Sequence, residues 1–479
     1  MNLGGRYRQL DEPAYCDSTG LDLGRGVADG SLSPVQLAEL ALDVARRQEA
    51  FVNAYAGFRA EAAIAEATRL ESEARSGFLR SALHGVPIAS KDNMYIVGEP
   101  ARKGSRTTTS QLATTASPMV DRLVEAGAVI IGRTTTPEFG WKGTGTSPLT
   151  GVTRNPWDPS RTSGGSSAGS GATVGAGAVP IATGSDAGGS VRIPAAFCGV
   201  VGLKPTLSAI PVWPGTVNES LSHAGVLSRS IRDAREVLRI TRGPDDRDPQ
   251  SAFCAPVPLP GGRAWRIGVV REPWGIAPDA DVATRLAPVF DALPDAGIGV
   301  VEEVALDMPV PRAIFEALWV TGRGLGFADL VRARSEEMDP GLARLTGLAE
   351  QYALSEFLGA LSARREFNAS IFEMFSTYDV LVMPTMPLTP FDADAEVPPG
   401  GEVEAPLPWV TWTPYTYPFN ISGQPAVSVP VDLAEDRLPV ALQVVGPWAA
   451  DELVLAVAER LERIVAPTIR RRTGAGAAR

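Results

Sequence analysis

A chain of 479 residues, 44% hydrophobic and 21% charged, has the composition of a globular protein and can bury a core without disulfides or metal. The formal net charge of −11, with Arg470-Arg471-Arg472 as its one dense basic run, argues against a nucleic-acid partner. The absence of any run of about 18 apolar residues argues against a membrane span. Cys16, Cys198 and Cys254 form no CxxC pair, and the only histidines are His84 and His223. That composition argues against a disulfide framework and against a metal centre, so no cofactor or metal is expected. MNLGGRYRQLDEPAYC lacks the apolar core of a signal peptide, so a cytoplasmic, reducing setting is expected.

Residues 34–75 read as helical. Ser33-Pro34 supplies a cap and a first-turn proline, Leu37, Leu40, Ala41 and Val44 recur at helical spacing, and Glu61–Arg75 makes a second helix. LHGVPIASKDN (83–93) reads as a short apolar strand. VDRLVEAGAVIIGRTTTPEFG (120–140) reads as helix, Gly127 and a β-branched strand. Ala172–Ala178 predicts a small-residue helix and Val179–Thr183 a strand. Residues 243–263, rich in Pro, Asp and Gly, predict a surface excursion. WRIGVV (265–270) is a strand, 280–296 a helix, Ile314–Phe375 mostly helical, and YDVLVMPTMPLTP a strand entering a proline-rich loop. Residues 425–446 read as two strands joined by a polar turn, and an amphipathic helix closes the pattern. The interleaving predicts one large α/β unit.

SGGSSAGSG (163–171) has the composition of a flexible linker. Its flanks, NPWDPSRT and an apolar small-residue segment, belong instead to one sheet with its helices. A second loop, GSDAGGSVR (184–192), places Ser190 directly after two glycines. Consecutive N–H groups can converge there, as an acyl-transfer oxyanion requires. Neither loop matches a phosphate loop, since no lysine follows the glycines, and GTGTSPLTG is only a weak echo of a dinucleotide fingerprint. A lipase-type elbow needs GxSxG and a histidine. His223, in SLSHAGVLSRS, reads better as a partly buried polar residue than as a base. A base can then be a lysine whose pKa is lowered by burial. Lys91 directly follows an apolar strand, although taken alone it reads as a strand-end lysine paired with Asp92.

The ordered set GVPIASKDN, GGSSAGS and GSDAGGSVRIPAAFCGVVGLKPT resembles the amidase signature family. The likeness extends from SPVQLAELAL through TTTPEFG and NPWDPSRTSGGSS to PFNISGQPAVSVPV and LPVALQVVG. The resemblance implies an α/β fold with a large central twisted mixed β-sheet covered by α-helices on both faces. It implies one domain over 1–479, with a helical segment at about 30–75, a catalytic core at about 80–240, a variable pocket region at about 245–420 and a disordered tail at 470–479. It implies Ser190 as the acylated nucleophile, Ser166 as a bridging serine entered through a cis peptide from Gly165, and Lys91 as the base. The backbone N–H groups of Ala187, Gly188, Gly189 and Ser190 are expected to form the oxyanion hole, with Ser167, Asp186 and Arg192 in support. Ala168 and Ala187 depart from the residues usual in these loops.

Two amides compete. One reading is a free-standing serine amidohydrolase that cleaves a small, largely apolar or aryl amide, with esters and carbamates able to enter the same acyl-enzyme route. The other is the glutamine-hydrolysing component of the glutamyl-tRNA amidotransferase. Ile193, where that component typically has Gln, and the aromatic run Trp409, Trp412, Tyr415 and Tyr417 favour the first. Gly140 and Trp141 fall where family members line the acyl pocket, although core packing competes for each aromatic. The expected partners are a small amide and water, with no nucleic acid or membrane, in a monomer or homodimer. A non-catalytic scaffold is disfavoured because all three reacting positions are present.

Overall fold

The structure, a computed structural model, describes residues 7–216, 218–432 and 438–465. The tail expected to be disordered at 470–479 lies outside them, as does most of the turn between the last two strands. Eleven strands form one mixed sheet: β1 Tyr55–Phe58, β2 Pro87–Lys91, β3 Val129–Thr134, β4 Ile181–Asp186, β5 Val201–Lys204, β6 His223–Ser228, β7 Arg266–Val269, β8 Val300–Glu303, β9 Val380–Pro384, β10 Ala426–Asp432 and β11 Val440–Val445. Their spatial order is β1-β3-β2-β4-β6-β5-β10-β11-β9-β7-β8. Fifteen α-helices among the described residues cover its two faces.

Local chemistry explains the elements that were foreseen. Ser33 Oγ accepts from the Gln36 N–H at 3.2 Å, Pro34 opens the helix to Val52, and Asn53 ends it with φ 50°. Gly127 takes φ 87° between the Pro118–Glu125 helix and β3, a turn that disfavours any residue with a Cβ. Other boundaries differ from expectation. β1 interrupts the helical run 34–75, pairing antiparallel with β3 at the sheet edge. The small-residue helix runs Ala168–Gly175 and stops before Gly177, whose φ is 85°. The helical stretch after residue 312 is four α-helices, two of them begun by Pro340 and Leu354. β5 and β6 have every residue buried, so neither shows the alternation that marks a half-exposed strand.

The centre of the sheet positions the site. β2 and β4 are parallel neighbours, so the residues that end them, Lys91 and Asp186, emerge at the same edge. β6 runs antiparallel to β4 and begins there, with His223 opposite Asp186.

Candidate active site

Lys91 closes a strand buried at every position and is itself inaccessible. Its Nζ lies 2.8 Å from Ser166 Oγ, 3.0 Å from Ser167 Oγ and 3.0 Å from Ser185 Oγ. Burial pushes its pKa down to about 7. The Asp186 carboxylate opposes that shift and the Arg323 guanidinium adds to it. The adjacent Asp92 does not pair with Lys91; it takes Arg133 Nε at 2.8 Å. At pH 7 a substantial share of Lys91 is therefore neutral, with a lone pair directed among hydroxyl groups.

Ser166 sits just before the Ala168–Gly175 helix, in a loop whose Gly165–Ser166 peptide is cis. Gly165 has no room for a side chain, since a Cβ would come within 2.2 Å of the Thr144 carbonyl. Ser167 N–H donates to the Ser190 carbonyl at 3.0 Å, which ties this loop to the next one.

The 187–190 loop is shaped by Asp186. One carboxylate oxygen accepts from Gly189 N–H (2.7 Å), Arg192 Nη2 (3.1 Å) and Asn420 Nδ2 (2.9 Å); the other accepts from Val191 N–H (3.1 Å) and Arg192 Nε (3.1 Å). Burial opposes ionisation of Asp186. The Arg192 charge and its hydrogen bonds outweigh burial, with help from Lys204 and Asn420, and hold the carboxyl well below the usual range. Thr416 Oγ1 donates to the Gly188 carbonyl at 2.8 Å. One of the four N–H groups expected to face an oxyanion is already occupied. Gly189 N–H is committed to Asp186, so it is not open to an incoming oxygen. Among the described residues, the loop's hydrogen bonds leave the N–H groups of Ala187, Gly188 and Ser190 without an acceptor.

Ser166, Ala187 and Ser190 line a cavity of about 280 Å³ with Gly140, Phe139, Phe327, Trp213, Lys103 and Arg323. Gly140 has φ 67°, and a Cβ there would stand 3.1 Å from Ser166 Oγ. Trp141 does not line this cavity. It packs into the apolar cluster of Leu342 and Trp409 and presses against Gly341. The aromatic run also lies outside it. Trp409 and Trp412 fill the core, with Trp409 directly behind Gly188; Tyr417 packs against Phe315, and Tyr415 donates to the Ile276 carbonyl at 2.6 Å. His223 is buried, with Nδ1 2.9 Å from the Leu221 carbonyl and 3.1 Å from that of Asp186, and burial holds its pKa well below the ordinary value. Ser185, Asn420, Phe139, Lys103 and Arg323 were not anticipated. Ser185 stood inside the quoted loop, but nothing in its spacing tied it to Lys91.

The Amidase family model matches residues 36–455, and the chain belongs to that family, the amidase-signature hydrolases. It is 34% identical over 470 residues to a component of the glutamyl-tRNA(Gln) amidotransferase of Symbiobacterium thermophilum, covering 91% of this chain and 94% of that protein. It is 31% identical over 456 residues to the acylamidase of Rhodococcus erythropolis, with 92% and 94% covered. Among solved structures, 6-aminohexanoate cyclic dimer hydrolase in complex with substrate superposes with a TM-score of 0.85 at 26% identity, covering 96% of this chain and 99% of that one.

Proposed function

We propose that the protein is a free-standing serine amidohydrolase acting on a small, largely apolar or aryl amide through an acyl-enzyme on Ser190. The observation that carries this reading is a buried lysine of pKa about 7 placed 2.8 Å from Ser166 Oγ, with Ser166 and Ser190 on one cavity wall. Neutral Lys91 accepts the Ser166 proton while Ser166 accepts that of Ser190. Ser190 Oγ then attacks the amide carbonyl. The N–H groups of Ala187, Gly188 and Ser190 hold the oxyanion. As the C–N bond breaks, the proton returns through Ser166 to the leaving nitrogen. Water then takes the amine's place and repeats the relay on the acyl-enzyme. Ser167 and Ser185 keep Nζ in position, and Arg192 and Asp186 hold the nucleophile loop. Esters and carbamates follow the same route. The protein works as a monomer or homodimer in the cytoplasm, with an amide and water as its only partners.

The 34% identity to an amidotransferase component supports a second reading, release of ammonia from glutamine within a complex. Intact-mass analysis after an aryl fluorophosphonate, followed by turnover of an anilide, a primary amide, an aryl carbamate and glutamine, separates the two. One adduct, absent from Ser190→Ala, with anilide or carbamate turnover is the expected result. Glutamine turnover alone supports the second reading. In Ser190→Ala, turnover should fall by about 10⁵-fold or more, and activity near that of the parent protein removes Ser190 from its role.

A further inference from the structure

Two cations line the cavity without a carboxylate to pair with among the described residues. Arg323, in the Arg312–Gly326 helix, is only 7% exposed. Its Nη1 donates to the Phe139 carbonyl at 3.1 Å, while its Nε has no hydrogen-bond partner. Burial pushes the guanidinium down to about 10, so it stays charged at neutral pH. Lys103 is half-buried; its Nζ lies 5.0 Å from the Tyr95 ring centre and reaches the Tyr95 hydroxyl only at 3.4 Å. Phe139 joins the two, because its N–H donates to the Lys103 carbonyl at 2.7 Å while its own carbonyl takes Arg323. Lys103 (φ 52°) and Phe139 (φ 50°) both hold left-handed backbone, which side-chain-bearing residues rarely adopt and which collects at functional sites.

Among the described residues, the one carboxylate on the cavity wall, Asp186, is already saturated by Arg192, Asn420 and backbone N–H groups. The cavity is thus cationic inside a chain of net charge −11. A buried guanidinium with an unmet donor is costly unless something else satisfies it. The Phe139 and Phe327 rings, stacked at 4.5 Å, supply an apolar wall beside it.

We propose that the cavity takes an amide bearing one carboxylate and no ammonium group, with the carboxylate held between Arg323 and Lys103 and the amide carbonyl at Ser190. This inference rests on the amidohydrolase reading and names its substrate class. Glutamine fits poorly, because its ammonium would meet two cations and no available carboxylate.

The test uses two matched pairs. The mono-4-nitroanilide of glutaric acid places the carboxylate on the acyl side; N-butyryl-4-aminobenzoate places it on the amine side. Each is compared with its methyl ester. For one pair, kcat/KM for the acid should exceed that for the ester by about 10–100-fold, the range of one charge-assisted hydrogen bond. That ratio should collapse towards one in Arg323→Gln and fall part of the way in Lys103→Gln. If Arg323→Gln does not fold, Lys103→Gln carries the comparison. A ratio near one for both pairs in the parent protein overturns the proposal, as does an Arg323→Gln variant that slows acid and ester equally. Calorimetry on Ser190→Ala reads the pocket without turnover: glutarate should bind and dimethyl glutarate should not. Equal binding of the two overturns the proposal. Failure of every compound to turn over, with no fluorophosphonate adduct, overturns the amidohydrolase reading instead.

Discussion

Two fully buried lysines end two strands of the same sheet, and they differ in what their amines touch. Lys91 Nζ, at the end of β2, meets three serine hydroxyls, two of them, those of Ser166 and Ser185, on the wall of a cavity. Lys204 Nζ, at the end of β5, donates to the backbone carbonyls of Pro205 and Gln424, in the interior. Burial drives both pKa values down, to about 7 for Lys91 and well below the ordinary lysine value for Lys204. A carbonyl has no proton to give, whereas a hydroxyl has one. A depressed pKa therefore does not by itself identify a base; the neighbour that can surrender a proton does.

Lys91→Met gives the sharpest contrast. Turnover should fall by about 10³–10⁴-fold, the loss typical of removing a general base from a coupled set. The parent kcat/KM should drop as pH falls through about 7, where Lys91 gains its proton, and that acid limb should vanish in the variant. An acid limb that persists unchanged would remove Lys91 from the relay. Stability gives a second readout. Between about 7 and 10.5 the unfolded chain carries a proton on Lys91 that the native protein lacks, so native stability rises with pH across that window. Urea titrations of Lys91→Met at pH 7.5 and 9.5 should show that rise reduced.

Arg192→Met tests the support of the 187–190 loop. It strands the buried Asp186 carboxylate, which should cost about 3–5 kcal/mol of stability by thermal or denaturant melts. An unchanged melting temperature would mean that Asn420 and the N–H groups suffice alone. Gly140→Ala should slow turnover by about 10-fold, because its Cβ crowds Ser166 Oγ and its φ of 67° disfavours a side chain. Lys204→Met should have the smallest effect, less than about 10-fold on kcat/KM, and should keep the acid limb near pH 7. If that limb disappears, the contrast between the two lysines fails.

The sequence exposed the three serine and lysine positions because their motifs are long, ordered and rich in small residues where backbone must approach backbone. It exposed much less of the cavity wall. Gly140 and Trp141 are neighbours, but the left-handed turn at Phe139 sends Phe139 and Gly140 to the cavity and Trp141 to the core. No periodicity encodes such a turn. Arg323 and Lys103 are 220 positions apart in the chain and meet only through Phe139, so no local pattern links them. Strands were legible where β-branched residues followed a turn, as at β3. They were missed at β5 (VGLK) and β6 (HAGVLS), which alternate no more than β3 does and lack its β-branched run.

The bonds that shape the 187–190 loop span nearly half of the polypeptide. Asp186 and Arg192 are held by Asn420, and Gly188 by Thr416, across sequence separations of 228 to 234 residues. A ribosome that has released only the first 400 residues has already delivered Lys91, Ser166 and Ser190, but not the groups that organise them. Such distant closures are formed late in folding. The 187–190 loop is thus organised only after residue 420 has been made, and a chain cut before that point carries the residues of the candidate site without the bonds that arrange them.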